Sequence, residues 1–216
     1  MGIVERKERE RQEMRDNILK AAKELFIKEG YEKTSIRNIA ESIEYSPATI
    51  YLYFKDKDEI FYTLHVDGFN LLLEKMQQTE GIEDPLEKLY QIGKIYIRFG
   101  IENPEMYDLM FIMRSPISKI KEKEEGNWNT GNCAFQYFLN TIQSCIDKQY
   151  INIQDTFLAS MMIWSFVHGM VSLYVRERFS VMNLSKEQIY QMLDVSLKKE
   201  CEILESETYK LKKRQA

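Results

Sequence analysis

The chain has 216 residues and 25.8 kDa, room for a small headpiece and a larger body, and is 44% hydrophobic and 30% charged. Only 9 Gly and 4 Pro punctuate it, which argues against a strand-rich fold and for long helices. Lys and Arg total 30 against 34 Asp and Glu, a net charge of −4, so a uniformly basic nucleic-acid coat is excluded and any such contact must be local.

The first predicted helix runs from about Arg9 to Glu29, because Ile18, Ala21, Ala22, Leu25 and Phe26 recur at i, i+3, i+4, i+7 and i+8. Around its start, Arg6, Lys7, Arg9, Arg11 and Arg15 alternate with Glu5, Glu8, Glu10, Glu13 and Asp16. That pattern describes a solvated face with i,i+4 ion pairs and leaves the first 57 residues nearly balanced in charge. Gly30 ends the helix, and Thr34 or Ser35 offers an N-cap hydroxyl for a second helix with Ile36, Ile39, Ala40 and Ile43 inward. A turn follows at Glu44-Tyr45-Ser46. Ser46 caps a third helix, Pro47 suits its first position, and Ile50 and Phe54 anchor it. Thr34 to Lys57 therefore has the layout of a helix-turn-helix, which presses one short helix into a DNA groove.

Asp56 or Asp58 restarts a helix through Ile60, Phe61, Leu64, Phe69, Leu72, Leu73 and Met76. Beyond Gly81 the pattern predicts helices over about 84–101, 103–113, 128–149, 155–178 and 185–207. The stretch 114–127 is expected to be the least ordered, with Lys119 to Glu125 at the surface. Phe157 to Val175 is apolar nearly all round, and Ser185 with Gln188 forms a capping box that opens the last helix. These two helices read either as a dimer seam or as ordinary core. The expected fold is all-α, with a three-helix headpiece over residues 1–57 and a larger helical domain over 58–216.

No GxSxG, HExxH or glycine-rich phosphate loop occurs, and the two histidines, His65 and His168, are far apart, so the reading is of a binding protein rather than an enzyme. Cys133, Cys145 and Cys201 form no CxxC pair, so no disulfide framework, metal site or cofactor is implied. No uninterrupted run of eighteen apolar residues is present and the N-terminus opens a charged helix, so the expected location is the cytoplasm, with no membrane partner.

The chain resembles the TetR-type transcriptional regulators. The resemblance rests on Ile18-Leu-Lys-Ala-Ala-Lys-Glu-Leu-Phe26, Gly30-Tyr31, Thr34-Ser-Ile-Arg-Asn-Ile-Ala40, Ser46-Pro-Ala-Thr-Ile-Tyr-Leu-Tyr-Phe54 and Lys55-Asp-Lys57, in the family's order and spacing. A second likeness lies at Trp164 with His168-Gly169 and at Asn103-Pro104 with Met110-Phe111. The resemblance implies a homodimer whose headpieces enter successive major grooves of a palindromic double-stranded operator, with repression as the usual sign. It also implies release by a small-molecule inducer held in the larger domain. Control by a partner protein instead is the alternative.

Residue chemistry agrees with the DNA reading. Backbone N–H groups at the start of the second helix, with Thr34 and Ser35, suit a phosphate, while Arg37 reads equally as a contact or as a solvated side chain. On the third helix, which Ser46 opens, Pro47, Ala48 and Leu52 suit base edges and thymine methyls, whereas Thr49, Tyr51, Tyr53, Lys55 and Lys57 suit phosphates. Tyr51 could equally be core. In the larger domain Phe157, Met161, Trp164 and His168 make one helical stripe. With Phe99, Tyr107, Met110, Phe111, Met113 and Phe138 it reads either as the lining of a pocket for a hydrophobic or amphipathic ligand or as ordinary core. His168 reads as a hydrogen-bonded histidine rather than a metal ligand or base.

Overall fold

The computed structural model describes residues 2–113 and 129–215, and every regular element within them is helical. In chain order these are α1 (Ile3–Glu29), α2 (Ile36–Ser42), α3 (Pro47–Tyr51), α4 (Lys57–Gln77), α5 (Pro85–Glu102), α6 (Pro104–Tyr107), α7 (Asn129–Asp147), α8 (Thr156–Val175), α9 (Lys186–Leu204) and α10 (Glu207–Gln215). A π-helical turn, Asp108–Ile112, extends α6, and a 3-10 turn, Arg178–Met182, follows α8. The expected all-α class is borne out. The expectations for 114–127, including Lys119 to Glu125, lie outside the described residues.

Two compact units result, Met1–Gly68 with Glu105–Trp128, and Phe69–Pro104 with Asn129–Ala216. The first thus extends past residue 57 into α4 and also takes in most of α6. Its core joins Ile18, Ala22 and Phe26 of α1, Ile39 and Ala40 of α2, Ile50 of α3 and Phe54 just past its end, Ile60, Phe61 and Leu64 of α4, and Leu109 of the π turn. Phe26, Tyr31 and Phe61 meet with ring centroids 5.1 to 5.7 Å apart, a mutual packing that rigid aromatic rings favour. Gly68 marks a close approach: a Cβ there would lie 2.5 Å from the Met110 sulfur, so a larger residue would displace that flexible side chain. The wide turn that places Leu109 inward closes with Met113 N–H donating to the Asp108 carbonyl at 2.7 Å.

His65 is 4% exposed and stacks on Phe61 at 6.3 Å. Burial pushes its pKa down to about 4. The folded chain therefore stays neutral at His65 while the unfolded chain takes up a proton near pH 6.5. Stability is unaffected by this group above that pH and falls as pH drops toward 4. Denaturant unfolding should show about 2 kcal/mol lost to this group between pH 7 and pH 5. His65→Phe should flatten the dependence in that window, and an equally steep profile in the variant would refute the assignment.

In the second unit α5 is central and packs against α7, α8 and α9, burying Leu86, Leu89, Ile92, Tyr96, Ile97 and Phe99. Its start is capped by Asp84, which accepts from Leu86 N at 2.9 Å and Glu87 N at 3.3 Å. The predicted capping box at Ser185 and Gln188 forms. The predicted last helix, 185–207, breaks instead at Glu205-Ser206. There Ser206 N donates to Tyr150 O at 2.8 Å and Asn152 N to Leu204 O at 3.3 Å, and the chain restarts as α10.

α8 is long and apolar enough to cross a membrane by length and composition, with a mean hydropathy of 1.5, and 28% of that window is buried within the chain. Ser160, Ser165, His168 and Ser172 interrupt its apolar run.

Candidate nucleic-acid interface

The helix-turn-helix is built on three local devices. Ser35, not Thr34, is the N-cap of α2, and it exchanges hydrogen bonds with Asn38: its hydroxyl accepts from Asn38 N at 3.2 Å, and its own N–H donates to Asn38 Oδ1 at 3.0 Å. Ser46 caps α3, accepting from Thr49 N at 3.2 Å, with Pro47 at the first helical position. Between them Glu44 adopts φ 60°, the left-handed conformation that ends α2, where the Tyr45 N–H donates back to the Ala40 carbonyl at 2.9 Å. Asp56 then opens α4, accepting from Glu59 N at 2.7 Å.

Ile50 and Phe54 are 0% and 1% exposed, so they pin α3 from beneath. What they leave outward is one strip: Tyr45 (45% exposed), Ser46, Pro47, Ala48, Tyr51 (57%) and Leu52 (74%). The strip is uncharged, short-sided at its start and apolar or phenolic at its end. Tyr51, open between core and contact on sequence grounds, lies outside. Thr49 and Tyr53 are half-buried, and the Thr49 hydroxyl lies 3.0 Å from that of Ser46.

The predicted cations divide. Lys55 is exposed, its backbone N–H held by Glu59 at 2.6 Å. Arg37 is exposed but paired with Glu41 at 2.8 Å. Lys57 has a structural duty: its ammonium donates to the Tyr31 carbonyl at 2.7 Å and sits 4.1 Å from that ring's centroid. Tyr31 in turn hydrogen-bonds Asp58, and burial and that bond raise its phenol above the ordinary value. Thr34 is likewise turned inward, 2% exposed, its hydroxyl donating to the Gly30 carbonyl at 2.9 Å. Gly30 itself takes φ 87°, where a side chain would be strained.

Two features of this module escaped sequence reasoning. Tyr45 lies in the turn, where no periodicity marks it as exposed. Arg15 lies in a run of alternating charges, yet its guanidinium sits 4.2 Å from the Phe54 ring centroid and donates to the Tyr53 carbonyl at 3.1 Å, tying α1 to the end of α3.

The ten residues predicted to line a pocket fall in both units. Tyr107, Met110, Phe111 and Met113 belong to the first, the others to the second. Phe99 and Phe138 are buried, and Met161, Trp164 and His168 are half-buried. Phe157 is 62% exposed, at the surface of the chain rather than in its interior, because it lies in the first turn of α8 on the outer side. Trp164 donates to the Tyr96 hydroxyl at 3.1 Å, and that hydroxyl lies 3.1 Å from His168 Nδ1. Burial lowers the His168 pKa, so the ring is a neutral hydrogen-bonding group.

Comparison with known proteins agrees with this architecture. A family model described as bacterial regulatory proteins of the tetR family matches residues 18–63, and one for the tetracyclin repressor-like C-terminal domain matches residues 89–196. The chain is similar to IcaR of Staphylococcus epidermidis, a negative transcriptional regulator of the biofilm operon icaADBC, at 24% identity over 86% of this chain and 100% of that one. It is similar to the transcriptional regulator QacR of Staphylococcus aureus at 44% identity, over 22% of this chain and 26% of that one. Among solved structures, the fatty acid degradation regulator FadR from Bacillus halodurans shares the fold with a TM-score of 0.68 at 20% identity, over 89% of this chain and 95% of that one. The TetR-family regulator PfmR from Thermus thermophilus does so with 0.68 at 20%, over 88% and 99%. The chain belongs to the TetR family, and it is a transcriptional regulator with an N-terminal DNA-binding helix-turn-helix.

Proposed function

We propose that the protein is a cytoplasmic, homodimeric repressor that leaves a palindromic operator when a small hydrophobic or amphipathic molecule binds its larger domain. It acts by binding and not by catalysis. The observation that carries the DNA reading is the outward strip of α3: a short, well-anchored helix presents Pro47, Ala48, Tyr51 and Leu52 to solvent, where their side chains cover no core. Pro47, Ala48 and Leu52 touch base edges and thymine methyls in the major groove, with Ser35, Ser46, Thr49, Tyr51, Tyr53 and Lys55 on flanking phosphates and Arg37 once freed from Glu41. The side chains of Thr34 and Lys57 hold the module together instead.

Dimerisation is supported by an apolar face left open in the single chain. Leu158, Met162 and Leu173 lie along one side of α8 with Ser165 and Gly169, and Val195 and Ile203 lie along α9, the five apolar side chains exposed by 44 to 72%. A second copy covers this face, which is why so apolar a helix as α8 belongs in water. Repression follows the sign of the relative IcaR. The ligand reading is supported by the half-buried Met161, Trp164 and His168 of α8, the last two joined through the Tyr96 hydroxyl, and by buried Phe99 and Phe138 in the same unit, soft and aromatic groups of the kind that suit an adaptable lining. α4 runs without a break from the first unit into the second, and ligand binding acts on DNA affinity through it.

The test of these DNA-facing roles is a titration of bound duplex against salt. Lys55→Ala should weaken binding to all sequences and make the plot of log affinity against log salt shallower by about 1, as expected when one phosphate goes unneutralised. Leu52→Ala should instead alter sequence preference and leave the slope as it was. Unchanged slope and unchanged preference in both would defeat the reading.

A further inference from the structure

Residues 4–13 lie in α1, yet they cover no core. From Val4 to Glu13 every residue is exposed, and the first inward packing is at Met14. α1 therefore projects as an arm. Its cations are not equivalent. On one face Arg6 pairs with Glu10 at 2.7 Å, Arg9 with Glu13 at 3.7 Å, and Gln12 bonds Asp16 at 2.8 Å, so that face neutralises itself. On the other, Lys7, Arg11 and Arg15 recur every four residues, in line with the stripe that carries Met14, Ile18 and Ala22. Lys7 and Arg11 form no ion pair among the described residues, and Glu8 at the stripe's edge pairs with neither.

Like charges at i,i+4 oppose helix formation, and among the described residues no ion pair offsets that cost for Lys7 and Arg11. It is continuous with the reading surface, because its third member, Arg15, is fixed to Tyr53 and Phe54 at the end of α3. Four helical residues advance about 6 Å, close to the spacing of neighbouring phosphates on one strand. We propose that Lys7 and Arg11 clamp backbone phosphates of double-stranded DNA outside the segment α3 reads, lengthening the footprint without adding base specificity. The inference rests on the DNA reading above.

The test uses the full-length protein, a duplex enriched from a random pool by the wild type, and an unrelated duplex of equal length. Lys7→Gln with Arg11→Gln should make the salt slope shallower on both duplexes by about 0.9 for each phosphate no longer neutralised, and should shorten the hydroxyl-radical footprint at its outer edges. Arg6→Gln with Arg9→Gln removes the same formal charge from the paired face and should leave slope and footprint unchanged. Lys7→Arg with Arg11→Lys should retain both. An unaltered slope in the Lys7/Arg11 glutamine variant, or equal losses in the two glutamine variants, overturns the clamp while leaving the DNA reading intact. A wild type that binds no duplex overturns both.

Discussion

Met162→Glu with Leu173→Glu should leave a folded, monomeric protein that no longer holds its operator. Both side chains are already about half exposed in the single chain, at 48% and 44%, so the folded monomer tolerates the carboxylates. A dimer paired through this face would not, because four unpaired charges would enter its apolar seam. Without pairing, two linked half-site contacts become independent ones, and operator affinity should drop roughly 10²- to 10⁴-fold. Sedimentation and operator titration at fixed salt check the two parts. A variant that stays dimeric would place the seam elsewhere, and a monomer that binds the operator as tightly as wild type would sever the link between pairing and DNA.

Leu109→Ala should destabilise the DNA-binding unit by about 3 kcal/mol, as expected when a fully buried leucine is deleted and its site collapses only in part. Leu109 is 0% exposed within the core that carries Ile18, Phe26, Ile50 and Phe54, although it lies some fifty residues beyond the helix-turn-helix. Ile112→Ala, at a half-buried position of the same turn, should cost much less. Urea unfolding followed by loss of duplex binding measures both. If Leu109→Ala shifts the midpoint no more than Ile112→Ala, the π turn is not part of that core.

The helix-turn-helix was legible because its signals are local. A 3.6-residue apolar stripe marks α1, and serine hydroxyls with a following proline mark α3. Of the inward positions, Ile39, Ala40, Ile50 and Phe54 are buried as expected, while Ile36 and Ile43 are half-buried against the same core. What escaped depends on partners distant in sequence or on no apolar signal at all. The start of α1 at Ile3 is carried by charged residues with i,i+4 pairs rather than by a buried face. The break before α10 comes from backbone pairing with Tyr150 and Asn152, more than fifty residues earlier. The duties of Thr34 and Lys57 arise from carbonyls at Gly30 and Tyr31 that only the folded turn presents. Sequence pattern assigns Leu109 to a helix of the larger domain, because a π turn leaves no distinct periodicity.

Selection of bound duplexes from a random pool by the full-length protein, at low salt and without added small molecules, tests paired recognition most directly. Enriched sequences should carry two inverted half-sites whose centres lie about 34–36 Å apart or a multiple of it, bound by an even number of chains. A pool that enriches no inverted repeat, or one isolated half-site held by a single chain, would contradict it.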